Sequence, residues 1–133
     1  MNNFYAKTLK PFLILAGLYT ASAGLLAIQP EAIEALFQLT YTLEYRLLIQ
    51  HWGFTTLLIG LGLILSTYKT YWQESVFMIA AGEKLYMVVL VLYHTGDSYI
   101  AGFVSVAAID LVISLYLLSY LYYVKQQSIK VKK

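Results

Sequence analysis

Four stretches of mostly apolar residues, each about the 20-residue length that carries a helix across a hydrocarbon core, occupy most of this chain. They run over 9–28, 47–68, 75–94 and 98–124. Strict apolar–polar alternation is absent, so a barrel of short strands fits poorly. Backbone groups in lipid must be satisfied within their own segment, which leaves helices. The composition agrees. Of 133 residues, 60% are hydrophobic and only 12% are charged, where soluble domains carry roughly 25% charge. Such a balance argues against disorder, a fibrous repeat or an ordinary soluble enzyme. The absence of cysteine excludes disulfides, thiolate metal sites and cysteine nucleophiles. A net charge of +2 gives no reason to expect a nucleic-acid partner.

These features predict an all-α membrane protein, one transmembrane domain over 1–133, folded as an antiparallel four-helix bundle. The connections at 69–74 and 95–97 are short, and helices joined so briefly pack as antiparallel neighbours. The long connection, 29–46, opens with Pro30 and Glu31, a pairing suited to a first helical turn. Ile33, Leu36, Phe37 and Leu39 then oppose Glu31 and Glu34. This pattern reads as a short interfacial helix, or equally as an ordered loop capping the bundle.

Lys and Arg set the orientation. Lys7, Lys10, Lys69, Lys125, Lys130, Lys132 and Lys133 fall on one side and Arg46 alone on the other. Both termini are therefore expected in the cytoplasm, with the layout of a protein of the bacterial cytoplasmic membrane. The basic tail 125–133 is expected to rest on anionic headgroups. Aromatic belts follow the same division, with Tyr41, Tyr45, Trp52, Tyr93 and Tyr99 outside and Tyr68, Tyr71, Trp72, Tyr120, Tyr122 and Tyr123 inside. Lys7 and Lys10, the run from Phe12 to Tyr19, and Ala21-Ser22-Ala23 have the form of a cleavable signal. The apolar run continues through Leu25, Leu26 and Ile28, which favours a retained first span.

Charge inside a span is expensive unless paired or wet, and by default marks function. Glu83 and Lys84 lie about 12–14 Å from the inner edge of the third span, at about 1.5 Å per residue. Asp110 reaches a matching depth, about 12 Å from the inner edge of a core roughly 30 Å thick. A Lys84–Asp110 ion pair is expected, with Glu83 as a competing or third member. It serves either a proton-handling or ligand-anchoring site, or simply helix register. On the third span Glu83, Met87, Leu90 and His94 share a stripe, and on the second His51, Thr55, Leu58 and Gly62 do. One polar interior is thus expected to join His51, Thr55, Glu83, His94 and Asp110, with Tyr86 nearby. His51 and His94 near the outer leaflet also raise a haem b ligand pair, or a transition-metal site completed by Glu44 or Asp97. The plainer reading is two hydrogen-bonded histidines at the interface. Gly17, Ala21 and Gly24 on the first span, and Gly53, Gly60 and Gly62 on the second, allow close helix approach. No phosphate loop or nucleophile motif is present; Gly60-x-Gly62 sits inside an apolar helix.

Gly17, the following Pro30, Gln50-His51-Trp52-Gly53 opening the second span, Gly60-x-Gly62 and a polar Glu83 together give a layout that resembles the small four-helix membrane proteins of the DoxX-like group, including its BphX-like members. The resemblance implies a four-helix integral membrane protein from membrane-redox or aromatic-degradation settings, and carries over no catalytic residue set.

The function expected from the residues is binding of a hydrophobic small molecule (lipid, quinone or isoprenoid) or of a partner helix, with Glu83, Lys84 and Asp110 at the polar end. Two alternatives stay open. One is a membrane enzyme, either a carboxylate-dependent isomerase or a bis-His haem electron carrier. The other is a structural subunit of a homo-oligomer or a larger membrane complex.

Overall fold

The computed structural model describes residues 3–37 and 42–131, all helix and short connection. Five α-helices follow in order: α1 (Asn3–Ala27), α2 (Pro30–Phe37), α3 (Arg46–Leu65), α4 (Gln73–Tyr93) and α5 (Ala101–Val131). Single 3-10 turns at Leu43–Tyr45, Thr70–Trp72 and Ser98–Ile100 lead into the last three. Leu39 and Tyr41, and Lys132 and Lys133, lie outside the described residues.

Helices α1, α3, α4 and α5 are long and apolar enough to cross a membrane, compatible with a multi-pass membrane protein. Their outward faces carry large apolar side chains: Leu15 is 68% exposed, and Phe54, Ile79, Val89, Val112 and Leu115 are exposed as well. A soluble monomer rarely tolerates apolar surface on this scale. Two helices outrun their apolar stretches. Helix α1 begins at Asn3 and so encloses Pro11, and α5 carries the basic tail as continuous helix to Val131. Proline deprives the Lys7 carbonyl of its helical donor. Polar side chains brace this early segment against α5 instead: Tyr5 Oη donates to Ser119 Oγ at 3.0 Å, and Thr8 Oγ1 meets Tyr116 Oη at 2.7 Å.

The helices associate as two pairs. In the first, Gly17 and Gly24 of α1 face Gly60 and Gly53 of α3. A Cβ on Gly17 would stand 2.7 Å from the Gly60 oxygen, and one on Gly60 would stand 2.7 Å from the Gly17 oxygen. Gly24 and Gly53 repeat this reciprocal approach at 2.6 and 2.8 Å. Only glycine allows backbones this close, which brings Cα–H donors onto facing carbonyls. Gly62 is not part of this seam; it faces Val76 of α4 at ordinary contact distance.

In the second pair, α4 meets α5 through Phe77, Ala80, Ala81, Ile113, Leu117 and Tyr120, all buried. Leu13 and Ala16 of α1 and Leu63 of α3 complete the same core. The α3–α4 connection is fastened to it. Ser66 Oγ and Thr67 Oγ1 donate to the Leu63 and Ile64 carbonyls, Gln73 Nε2 donates to the Ser66 carbonyl at 3.0 Å, and Tyr120 Oη donates to Gln73 Oε1. The last carbonyls of a helix lack partners within it, and these side chains supply them where water is scarce.

Every residue of that core lies toward the α3–α4 connection. In the other half of the bundle, α1 offers Ser22 and Ala23 and α5 offers Gly102 and Ser105, too small to fill the gap between the two pairs.

Candidate functional site

That gap is a cavity of about 320 Å³, walled by all four long helices, with Lys84 and Asp110 on its wall. Lys84 Nζ donates to Asp110 Oδ1 at 2.7 Å, and the two side chains are 3% and 5% exposed. A hydroxyl and an aromatic ring flank the pair. Ser114, one turn below Asp110 on α5, donates to the Asp110 carbonyl and approaches the Ala81 carbonyl at 3.4 Å. The Lys84 ammonium also lies 5.9 Å from the centre of the Tyr19 ring, within cation–π range.

Glu83 stands on the cavity side of the pair. Its Oε2 is 3.9 Å from Lys84 Nζ, beyond hydrogen-bond reach, and is buried with no hydrogen-bond partner among the described residues. Thr56 of α3 lines the same cavity; it is 5% exposed and its Oγ1 likewise has no partner. Leaving a buried polar atom unpaired costs about 1–3 kcal/mol; both atoms are closed off from the cavity, which Glu83 and Thr56 line through their other atoms. A second cavity, of about 430 Å³, shares Trp52, Glu83 and Met87 with the first and continues along Ile33, Ile49 and Leu90.

Glu83, Lys84 and Asp110 are therefore brought together, and Tyr86 lines the adjoining cavity. Thr55 is not at the site; it is turned to the Trp52 carbonyl, to which it donates at 2.8 Å. The stripe on α3 is off by one residue, about 100° of helix. Glycines 53 and 60 commit their side of α3 to α1, and Trp52 and Thr56 hold the neighbouring face toward the interior. Along α4, Glu83, Met87 and Leu90 do share a wall, but His94 leaves it. His94 Nδ1 donates to Asp97 Oδ2 at 2.7 Å, and Tyr99 Oη donates to the same oxygen at 3.0 Å. These two bonds hold the Asp97 carboxyl below the usual carboxylate range. His51 is exposed on α3, and neither histidine lines either cavity. Among the described residues no group of three or more His, Asp or Glu side chains is placed to hold a metal ion. Thr56, Tyr19 and Trp52 were not legible as site residues. The i, i+4 spacing of Trp52 and Thr56 beside the glycine seam was the available signal.

Fold and site together define an all-helical bundle, with four helices long and apolar enough to cross a membrane and a buried ion pair on the wall of a partly open cavity. No protein-family model matches the sequence, and neither a curated protein nor a solved structure matches it. The likeness to DoxX-like proteins gains no support from these comparisons.

Proposed function

We propose that this protein is a multi-pass membrane protein that binds a hydrophobic small molecule, such as a lipid, quinone or isoprenoid, between its two helix pairs. Glu83, Lys84 and Asp110 hold the polar end, with Tyr86 beside the apolar part. The observation that carries this reading is the cavity itself, which pairs a desolvated Lys84–Asp110 contact with an unpartnered Glu83 oxygen. Intramembrane charge placed only for register has no need of a void beside it.

In this reading the bundle is antiparallel, α2 lies in the interface, and the lysine-rich ends of the helices face the cytoplasm. The protein is purified in mild detergent and its extract compared by mass spectrometry with that of Glu83→Gln. A discrete small molecule present with the native chain and depleted in the variant supports binding at this site. The unpartnered Glu83 Oε2 also favours a second reading, in which the carboxylate shuttles a proton in an isomerisation. Turnover of the copurified molecule by the native chain would distinguish the two.

A further inference from the structure

The space between α1 and α5 is closed at both ends and open between them. Toward the α3–α4 connection the two helices are fastened by Tyr5 to Ser119 and by Thr8 to Tyr116, and the Phe12 and Tyr116 rings stack with centroids 3.8 Å apart. At the other end α2 packs against both helices and buries Ile33. Between these closures the cavity wall reaches the surface at Ser22 of α1 and Ser105 of α5, both exposed. Resting on the binding reading above, we propose that this gap is a lateral window, and that the ligand is a slender lipid, a single alkyl or isoprenoid chain, which enters from the bilayer between α1 and α5.

Ser22 lies five residues before the end of α1 and Ser105 four residues after the start of α5, about 6–8 Å inside the helix ends at about 1.5 Å per residue. At that depth a spanning bundle meets lipid chains rather than water. The sides of the window are small: Ser22, Ala23, Gly102 and Ser105. Ser22 Oγ donates to the Leu18 carbonyl of its own helix at 2.7 Å, so its hydroxyl makes no demand on a passing apolar chain. The gap on the opposite face, between α3 and α4, is lined by Trp52, Tyr86, Met87 and Leu90, which are bulky enough to obstruct it. An apolar groove of about 510 Å³ runs along the α1–α5 face to the window, and Tyr19 borders both groove and cavity. The cavity itself, about 320 Å³, is far too small for a partner helix about 10 Å across. Volumes of this order bury small molecules.

The chain has no cysteine, so Ser22→Cys/Ser105→Cys offers a unique pair to a reducible bis-thiosulfonate clip, whose formation is read by mass. The probe is dodecanol carrying a diazirine on its chain, in phosphatidylcholine vesicles. Its photo-adduct on Met87, which lines the cavity, is quantified. Clipping before the probe is added should lower the Met87 adduct about fivefold, and reduction should restore it. Clipping after loading should instead retain the probe when excess protein-free vesicles are added, where the unclipped variant loses it. The same clip across the opposite face, on Ile49→Cys/Leu90→Cys, should change neither. A Met87 adduct indifferent to the first clip, or one governed by the second, overturns the window while leaving the cavity reading intact. No Met87 adduct in the native chain overturns the cavity reading itself.

Discussion

Lys84 Nζ donates to Asp110 Oδ1 across 2.7 Å, and with both side chains nearly inaccessible the contact joins α4 to α5 far from either end of the bundle. A pair this buried has an uneven energetic signature. Stranding one partner costs about 3–5 kcal/mol, whereas replacing both with apolar residues of similar volume is near neutral.

Lys84→Met and Asp110→Leu should therefore each lower the melting temperature in detergent steeply, and the double variant should recover much of the loss. Additive losses would mean that the pair is uncoupled.

The glycine seam makes a sharper packing prediction. Gly24→Ala and Gly60→Ala place a Cβ against facing backbone, with Gly53 and Leu57 at the first position and Gly17 and Ala21 at the second. Neither can be absorbed by a side-chain rotation, so α1 and α3 must separate and melting should fall. Gly82→Ala is the control. A Cβ there meets nothing within 4 Å, and alanine gains about 0.5–1 kcal/mol over glycine inside a helix. Equal behaviour of the three variants would contradict the seam.

Thr20 and Thr56 are both buried with unpartnered hydroxyls, yet only Thr56 lines the cavity. Valine at either position removes an unsatisfied buried hydroxyl at nearly constant volume and should raise stability, by up to about 1–3 kcal/mol. Only Thr56→Val, through its place on the cavity wall, should also change the amount of copurified small molecule. Loss of that molecule in both variants would point to a general change in packing.

How the spans lie in the bilayer rests on the lysine distribution. Reporter fusions after Lys69 and Lys133 should read cytoplasmic, and a fusion at Thr40 should read external. A cytoplasmic reading at Thr40 would reverse the orientation.

Much of this architecture was legible from hydropathy alone, because four apolar runs of spanning length leave few alternatives. The Lys84–Asp110 contact was legible too, since depth counted at a fixed rise per residue places both groups at one level. The ends of the helices were not. Residues 3–8 fall before the first span as read at 9–28, and their helix is braced by Tyr5 and Thr8, which reach Ser119 and Tyr116 on a helix more than a hundred positions away. The cavity was equally hidden. Its wall combines Ser22 and Ala23 with Gly102 and Ser105 from two helices distant in sequence, and no single segment announces that coincidence. Thr56 was passed over for Thr55 because a helical stripe chosen without its packing partner is uncertain by one residue.

Occupancy of the space beside Glu83 by a discrete molecule can be tested with the chain's own methionines. Met87 lines both cavities, while Met78, on the same helix, is 57% exposed on the outward face. Protein made with photo-methionine and irradiated in its native membrane, then digested and mapped by mass spectrometry, reports on both positions at once. One dominant small-molecule adduct is expected on the Met87 peptide, with a broad mixture of bulk lipid adducts on the Met78 peptide. The same mixture at both positions, or cross-links from Met87 to protein alone, would contradict it.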